Sequence, residues 1–88
     1  MEEIKLTLNE SHFTNVCKNG YIEFGTGYNK AIINISKIDM KKMALGEEIS
    51  IEVFDQPLFK ISITGIQMEV IKEILRRSPI YSDMYYDL

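Results

Sequence analysis

Residues 49–63 read Ile-Ser-Ile-Glu-Val-Phe-Asp-Gln-Pro-Leu-Phe-Lys-Ile-Ser-Ile, the most regular pattern in the chain. Apolar and polar residues alternate on both sides of a break at residues 55–57, and most of the apolar residues are β-branched. A period of two with such residues is typical of strands that bury one face. The stretch therefore predicts a β-hairpin.

The facing pairs of this hairpin indicate its register. We place Phe54 opposite Leu58, so that the apolar residues of the two strands face one another. The same register puts Glu52 opposite Lys60. A shift by one residue would turn the apolar side chains of one strand to water. Pro57 does not suit the left-handed position that often closes a three-residue loop, so the register is left open to a shift.

The composition and net charge of the chain indicate a globular domain and disfavour some functions. The chain has 88 residues, 45% of them hydrophobic and 26% charged, as in an ordinary globular domain. A domain of this size buries only about 60–65% of the surface of its unfolded chain, so association with another chain would add to its stability. Thirteen acidic and ten basic side chains give a formal net charge of −3, which disfavours nucleic-acid binding.

The cysteine content and the N-terminus predict a cytoplasmic protein. Cys17 is the single cysteine of the sequence, so an internal disulfide is excluded and a reducing compartment fits. The first residues are acidic where a signal peptide would be basic. We expect no membrane association, because no apolar run reaches the length of a membrane span.

A strand followed by a capped helix is predicted three times. The caps are Asn9, Ser36 and Thr64, since each is a good N-cap residue between an alternating segment and a helical pattern. Asp39 follows Ser36 by three residues, and Gln67 follows Thr64 by three residues, which is the spacing of a capping box. The residues before the three caps are apolar and recur at nearly equal spacing, so we treat Leu8, Ile35 and Ile63 as equivalent positions.

The predicted order of elements is βαββαββα. Over residues 4–54 this order resembles the split βαβ, ferredoxin-like arrangement, with an appended strand and a C-terminal helix. The resemblance implies an α+β fold with helices on one face of a mixed sheet, and it leaves the function open, because this fold supports many activities. We predict one α+β domain at residues 1–78 and a tyrosine-rich C-terminal tail at residues 79–88.

The alternation along the strands assigns each residue to a face of the sheet. We expect the following residues to point toward the helices: Ile4, Leu6, Leu8, Ile22, Phe24, Ile33, Ile35, Ile49, Ile51, Val53, Phe59, Ile61 and Ile63. The opposite face is largely polar, and its apolar exceptions are Tyr21, Ile32 and Phe54. This second face is therefore free for solvent, the tail or a partner.

The sequence gives little support to catalytic or metal sites. His12 and Cys17 lie on one short predicted helix with their side chains diverging, so they do not form a base and nucleophile pair. One His and one Cys are too few for a structural zinc site, and the acidic residues lack calcium-loop spacing. We therefore predict no enzyme, no metal and no cofactor.

The loop at residues 25–30, Gly-Thr-Gly-Tyr-Asn-Lys, is the best candidate for a small-molecule site. Glycine amides can approach an anion, and Thr26, Gly27 and Lys30 would supply the donors. The loop lacks the Walker spacing and does not lead into a helix, so a plain hairpin loop is the simpler interpretation. The alternative function is a binder that holds a nucleotide-like anion in a pocket between subunits.

The tail at residues 79–88 favours protein binding. It holds three of the five tyrosines and no basic side chain. Tyrosine is enriched at protein interfaces. One interpretation is that the tail folds back over its own sheet, against Tyr21, Ile32 and Phe54, or stays frayed. The other is that it contacts a partner, and in a homodimer it could cross to the second copy. If the tail contacts a partner, deletion of the tail would weaken binding and leave the domain folded.

The function predicted from the sequence is therefore that of a small acidic module that binds another protein. Inhibitors, adaptors and regulatory subunits are of this kind, as are many accessory proteins of phages and mobile elements. We expect the contact to be made by the free face of the sheet and the tail. The predicted binding residues are Tyr81, Tyr85, Tyr86, Phe54 and Tyr21.

Overall fold

The computed structural model describes residues 2–25 and 27–88, without the side chains of Asn29 and Asp87. The strands are β1 (Glu3–Leu8), β2 (Tyr21–Phe24), β3 (Ala31–Asn34), β4 (Ile49–Ile51) and β5 (Leu58–Ile63). The α-helices are α1 (Glu10–Asn19), α2 (Lys37–Ala44) and α3 (Met68–Arg76), and short 3₁₀ helices lie at Gly27–Asn29 and Ser82–Asp87. The α+β class and the predicted order of elements are confirmed.

The strands form two sheets rather than one. In the first sheet β5 is central, with β1 parallel on one side and β4 antiparallel on the other. β2 and β3 pair antiparallel in a separate sheet. The ferredoxin-like arrangement is not confirmed, because β1 pairs with β5 and, within the described residues, with neither strand of the second sheet. The β1–β5 pairing joins distant parts of the sequence, so no local pattern encodes it.

The predicted hairpin forms between β4 and β5, but its predicted register is wrong. Ile49 faces Ile61, whereas the predicted register placed Ile63 opposite it. The turn spans residues 52–57, which include Pro57 and so offer one N–H fewer to a ladder. A shift of two residues leaves every side chain on its predicted face, because the period of a strand is two.

The predicted core face is confirmed. Each strand residue assigned to the helix side is buried or packs against the buried cluster. Phe59 of β5 and Phe24 of β2 meet edge to face, with their ring centroids 5.4 Å apart. Since these rings belong to different sheets, the two sheets share one core. The helices add fully buried side chains to it, among them Phe13 and Met40.

Two of the three predicted helix caps are confirmed. The side chain of Asn9 accepts a hydrogen bond from the N–H of His12 at 2.9 Å. The hydroxyl of Ser36 accepts one from the N–H of Asp39 at 3.1 Å. Gly20 ends α1 at a φ of 80°, a left-handed conformation that glycine adopts without strain.

The third predicted cap is wrong. α3 begins at Met68, and its N-cap residue Gln67 makes no side-chain cap hydrogen bond. The N–H of Thr64 donates to the Leu8 carbonyl at 3.1 Å, so Thr64 extends the parallel ladder between β1 and β5. Gly65 then turns the chain at a φ of 70°. The ladder hydrogen bond therefore prevails over the capping signal at this position.

The C-terminal residues 79–88 pack on their own domain, but not over the sheet face that the first interpretation named, since Phe54 is 96% exposed and Ile32 is 44% exposed. Tyr81 is fully buried, and its hydroxyl donates to the Ile35 carbonyl at 2.6 Å. The Ser78 hydroxyl donates to the Cys17 carbonyl at 2.5 Å and accepts from the N–H of Tyr81 at 2.9 Å. These hydrogen bonds fix the start of the segment against α1 and the chain between β3 and α2.

Further contacts hold the remainder of the segment in place. Met84 is buried in the common core. Asp83 forms an ion pair with Lys37 of α2 at 2.7 Å, and this hydrogen bond holds the pKa of the Asp83 carboxyl below its usual value. Ile80 lies so close to Gly20 that a Cβ at Gly20 would come within 2.9 Å of its side chain. Among the described residues, no helix has the length and apolarity needed to cross a membrane.

Candidate functional site

The aromatic residues predicted to contact a partner lie in different environments. Phe54 is 96% exposed at the β4–β5 turn, and Tyr86 is 87% exposed on the last 3₁₀ helix. Tyr85 is half-buried and meets the ring of Tyr86 edge on, with centroids 5.3 Å apart. Tyr21 is half-buried on β2. Tyr81 is fully buried and has no surface to offer, so we remove it from the predicted binding residues.

The charged groups near the tyrosine pair are themselves paired. Tyr85 and Tyr86 lie close enough to Arg76 of α3 to contribute to the raised pKa of its guanidinium, which arises mainly from a hydrogen bond to Glu73. Arg76 and Arg77 both bind the Glu73 carboxylate, with N–O distances of 3.0 and 2.9 Å. The hydrogen bond from Arg76 is the main reason that the pKa of Glu73 is lowered. The two guanidinium groups share one carboxylate, so the cluster beside the tyrosines keeps a net charge of +1.

The described part of the loop at residues 25–30 includes two of the three predicted anion-binding residues, Gly27 and Lys30. The Lys30 ammonium lies 3.4 Å from the Glu23 carboxylate on the neighbouring strand, so its charge is partly neutralised. Gly27 is exposed at a φ of 60°. Thr26, the third predicted donor, lies outside the described residues. The carboxylate beside Lys30 disfavours a nucleotide-like anion.

The potentially reactive side chains are not brought together. His12 is exposed at the start of α1, whereas Cys17 is buried. Burial raises the pKa of the Cys17 thiol to about 12, so it stays protonated and unreactive at neutral pH. Within residues 2–25 and 27–88, no three His, Cys, Asp or Glu side chains are grouped to hold a metal ion.

A cleft of about 480 Å³ lies between β1, β2 and α1. We call it the edge cleft. One wall is formed by residues 6–8 of β1 and the other by Tyr21–Phe24 of β2. Because successive side chains of a strand point to opposite faces, a cleft lined by consecutive residues meets each strand at its edge. α1 lines the rest of the cleft with His12, Asn15, Val16 and Asn19.

The hydrogen bonds of β1 show which of its backbone groups face away from β5. The carbonyls of Glu2 and Leu8 accept hydrogen bonds from the two ends of the β5 segment, at 3.0 and 3.1 Å. In a parallel ladder the backbone N–H and C=O groups of every second residue point to the same neighbouring strand, so those of Ile4 and Leu6 also point to β5. The N–H and C=O groups of Lys5 and Thr7 therefore point to the opposite edge, which pairs with no strand of the described chain.

The hydrogen bonds of β2 likewise show which of its backbone groups face away from β3. The Gly20 carbonyl accepts a hydrogen bond from the N–H of Ile35 at 3.0 Å, which fixes the hydrogen-bonded pairs of the β2–β3 ladder. Tyr21 and Glu23 then occupy the alternate positions, whose backbone groups point away from β3. No described strand pairs with this edge either. The edge cleft thus has an unpaired strand edge on both of its walls.

The sequence predicted Tyr21 as a binding residue but gave no sign of the edge cleft. The cleft exists because β1 pairs with β5 and leaves its other edge free, and that pairing is not local. Comparisons of the chain with protein-family models, curated proteins and solved structures found no match. The functional assignment therefore depends on the geometry of the exposed aromatic residues and the edge cleft.

Proposed function

We propose that this protein is a non-enzymatic module that binds another protein, as an inhibitor, an adaptor or a regulatory subunit does. The observation that carries the proposal is the exposure of Phe54, a residue that is 96% accessible. Phe54 follows β4 in the chain. β4 pairs with β5 in the first sheet, and its residue Ile49 is buried. Aromatic side chains add much contact area at low entropic cost when they bind a partner, because they have few rotatable bonds.

Tyr86 provides a second exposed aromatic ring of the same kind. Its neighbour Tyr85 packs against it, and Met84 fixes the helix in the core. The ring is thus presented by an ordered element. Phe54 and Tyr86 are the side chains that we expect to contribute most to binding, because buried aromatic anchors dominate the energetics of protein interfaces.

Deletion of the tail is not a clean test of this function. Residues 79–88 supply Tyr81 and Met84 to the core, so their removal would lower stability as well as binding. Substitutions of exposed residues separate the two effects. The double variant Phe54→Ser and Tyr86→Ser removes both rings and leaves the buried residues in place.

The test is affinity capture from a native lysate of the cells that express the protein, with wild type and the double variant immobilised in parallel. Ile38→Ser is the matched control, because Ile38 is an exposed apolar side chain that is not aromatic and was not predicted to contact a partner. We expect a protein that wild type and the control retain and that the double variant retains at least about tenfold less. Equal retention by all three, or no specific retention by wild type, would contradict the proposal. The mass of the intact complex then gives its stoichiometry and shows whether the partner is a second copy.

A further inference from the structure

We propose that the edge cleft binds an extended segment of a partner protein, which enters as an added β-strand. This inference deepens the proposed function and rests on it, because it names the form of the protein that is bound. In β-strand addition, main-chain hydrogen bonds supply affinity and pockets for alternate side chains supply specificity. The edge cleft offers both kinds of contact.

The main-chain contacts come from the unpaired edges of the cleft. Thr7 on the β1 wall, and Tyr21 and Glu23 on the β2 wall, direct their N–H and C=O groups away from their present partner strands. Lys5, directly before the β1 wall, does the same. An exposed strand edge of this kind is a template for another strand. A segment that matches the four residues of β2 would be about 13 Å long at the usual rise per residue.

The two-sided form of the cleft determines what can enter it. To pair with both walls at once, as we propose, the bound segment must have both of its own edges free. Every strand of the described chain already pairs with a neighbour along at least one edge. A second copy in the same fold therefore has no strand to offer, and the occupant is a linear segment of a different protein.

The walls also indicate the side chains of that segment. Leu6 and Ile22 line the cleft, and both are partly buried against the core, so one face of an added strand would meet apolar side chains. On the other face it would emerge beside Thr7 and Glu23, which are exposed. The partner segment therefore alternates apolar and polar residues, with the apolar ones toward the core.

The test uses a display library of random linear 12-residue peptides selected on the wild-type protein. A selected peptide is synthesised and titrated into isotope-labelled protein. We expect amide shifts and at least tenfold slower hydrogen exchange at Lys5, Thr7, Tyr21 and Glu23. N-methylation should weaken binding at least tenfold at each central position of the peptide, since alternate amides of the bound strand face β1 and the amides between them face β2.

A variant of the protein provides a second readout. Glu23→Pro removes an N–H that the β2–β3 ladder does not use, at an edge position where proline is tolerated. Glu23→Gln is the matched control, because it loses the ion pair with Lys30 and keeps the N–H. We expect Glu23→Pro to bind the peptide at least tenfold more weakly and Glu23→Gln to bind it as wild type does.

Several results would overturn the inference. Selection that yields no binding peptide would do so, as would peptides whose affinity is insensitive to N-methylation. Peptides that shift only amides around Phe54 and Tyr86 would also overturn it, and they would support the proposed function. Loss of capture in the Phe54 and Tyr86 double variant concerns only the proposed function, so the two failures are distinguishable.

Discussion

Tyr81 and Cys17 are the residues through which the C-terminal segment is joined to the rest of the domain. The Tyr81 ring is fully buried, and its hydroxyl donates to a backbone carbonyl at 2.6 Å. The carbonyl of Cys17 receives the Ser78 hydroxyl directly before the segment. Burial raises the pKa of both Cys17 and Tyr81 to about 12, so both side chains are neutral in the folded protein.

Substitution of Tyr81 by phenylalanine should destabilise the fold. The ring stays in place, but the carbonyl of Ile35 loses its donor in the core, at a cost of about 1–2 kcal/mol. Urea unfolding followed by circular dichroism measures this change. Tyr86→Phe is the control, since Tyr86 is 87% exposed, and it should leave the midpoint unchanged. Equal midpoints for wild type and Tyr81→Phe would show that the hydrogen bond contributes nothing.

Alkaline pH should destabilise the protein through the same two residues. The Cys17 thiol has a pKa near 9.0 when exposed and about 12 when folded. Its contribution is complete below pH 9 and is lost as the pH rises toward 12, because the unfolded chain releases the proton first. Tyr81 acts in the same direction from pH 10. Unfolding free energies measured at increasing pH should therefore decline above pH 9.

The variant Cys17→Ala isolates the contribution of the thiol. It is less stable than wild type at neutral pH because it leaves a small cavity. Its unfolding free energy should fall less steeply than that of wild type between pH 9 and 10, below the range in which Tyr81 contributes. Parallel declines for the two proteins would mean that the thiol is not protected by burial.

At the level of elements, the helices begin in two different ways. α1 and α2 have side-chain caps at Asn9 and Ser36, whereas α3 starts at Met68 with no such bond. α3 also has the most one-sided distribution of apolar residues, with Ile71 and Leu75 buried. The stability of this helix therefore comes from packing rather than from its cap.

Cap substitutions separate these two cases. Ser36→Ala should cost about 1 kcal/mol, because the N–H of Asp39 loses its acceptor. Thr64→Ala should change stability by less than about 0.5 kcal/mol, since Thr64 is exposed and uses its backbone rather than its side chain. Thermal unfolding of both variants checks the comparison. A larger loss for Thr64→Ala would indicate that the sequence-based cap is correct after all.

Elements formed by local interactions were predictable from the sequence, and the pairing of distant strands was not. Alternation predicted which strand residues face the core, and capping residues predicted the starts of α1 and α2, because both signals act over a few residues. Thr64 carried an equally good local signal, but its N–H pairs with Leu8 from the first strand. The edge cleft and the burial of Tyr81 depend on the same kind of distant contact.

At the level of the whole molecule, the C-terminal segment completes the core and the edge cleft remains open. The segment contributes Tyr81 and Met84 to the buried cluster and binds α2 through Asp83. Its first residues lie against the end of α1, where Ile80 packs close to Gly20. The exposed rings of Phe54 and Tyr86 and the unpaired edges of β1 and β2 are the surfaces that we propose for a partner.

Deletion of residues 79–88 should therefore impair folding. Loss of a buried tyrosine alone costs about 3–5 kcal/mol, which is a large part of the stability of a small domain. Differential scanning calorimetry should show a melting transition that is strongly lowered or absent in the truncated chain. A truncated chain that melts like wild type would show that the segment is dispensable for the fold.

The central claim is that the sheet is divided, with unpaired edges on β1 and β2. Amide hydrogen exchange of the free protein, resolved by residue, tests it most directly. We predict slow exchange at Leu6, Leu8, Ile22 and Phe24, whose N–H groups lie in ladders, and fast exchange at Lys5, Thr7, Tyr21 and Glu23. Slow exchange at both sets would mean that these edges are already paired and would contradict the account.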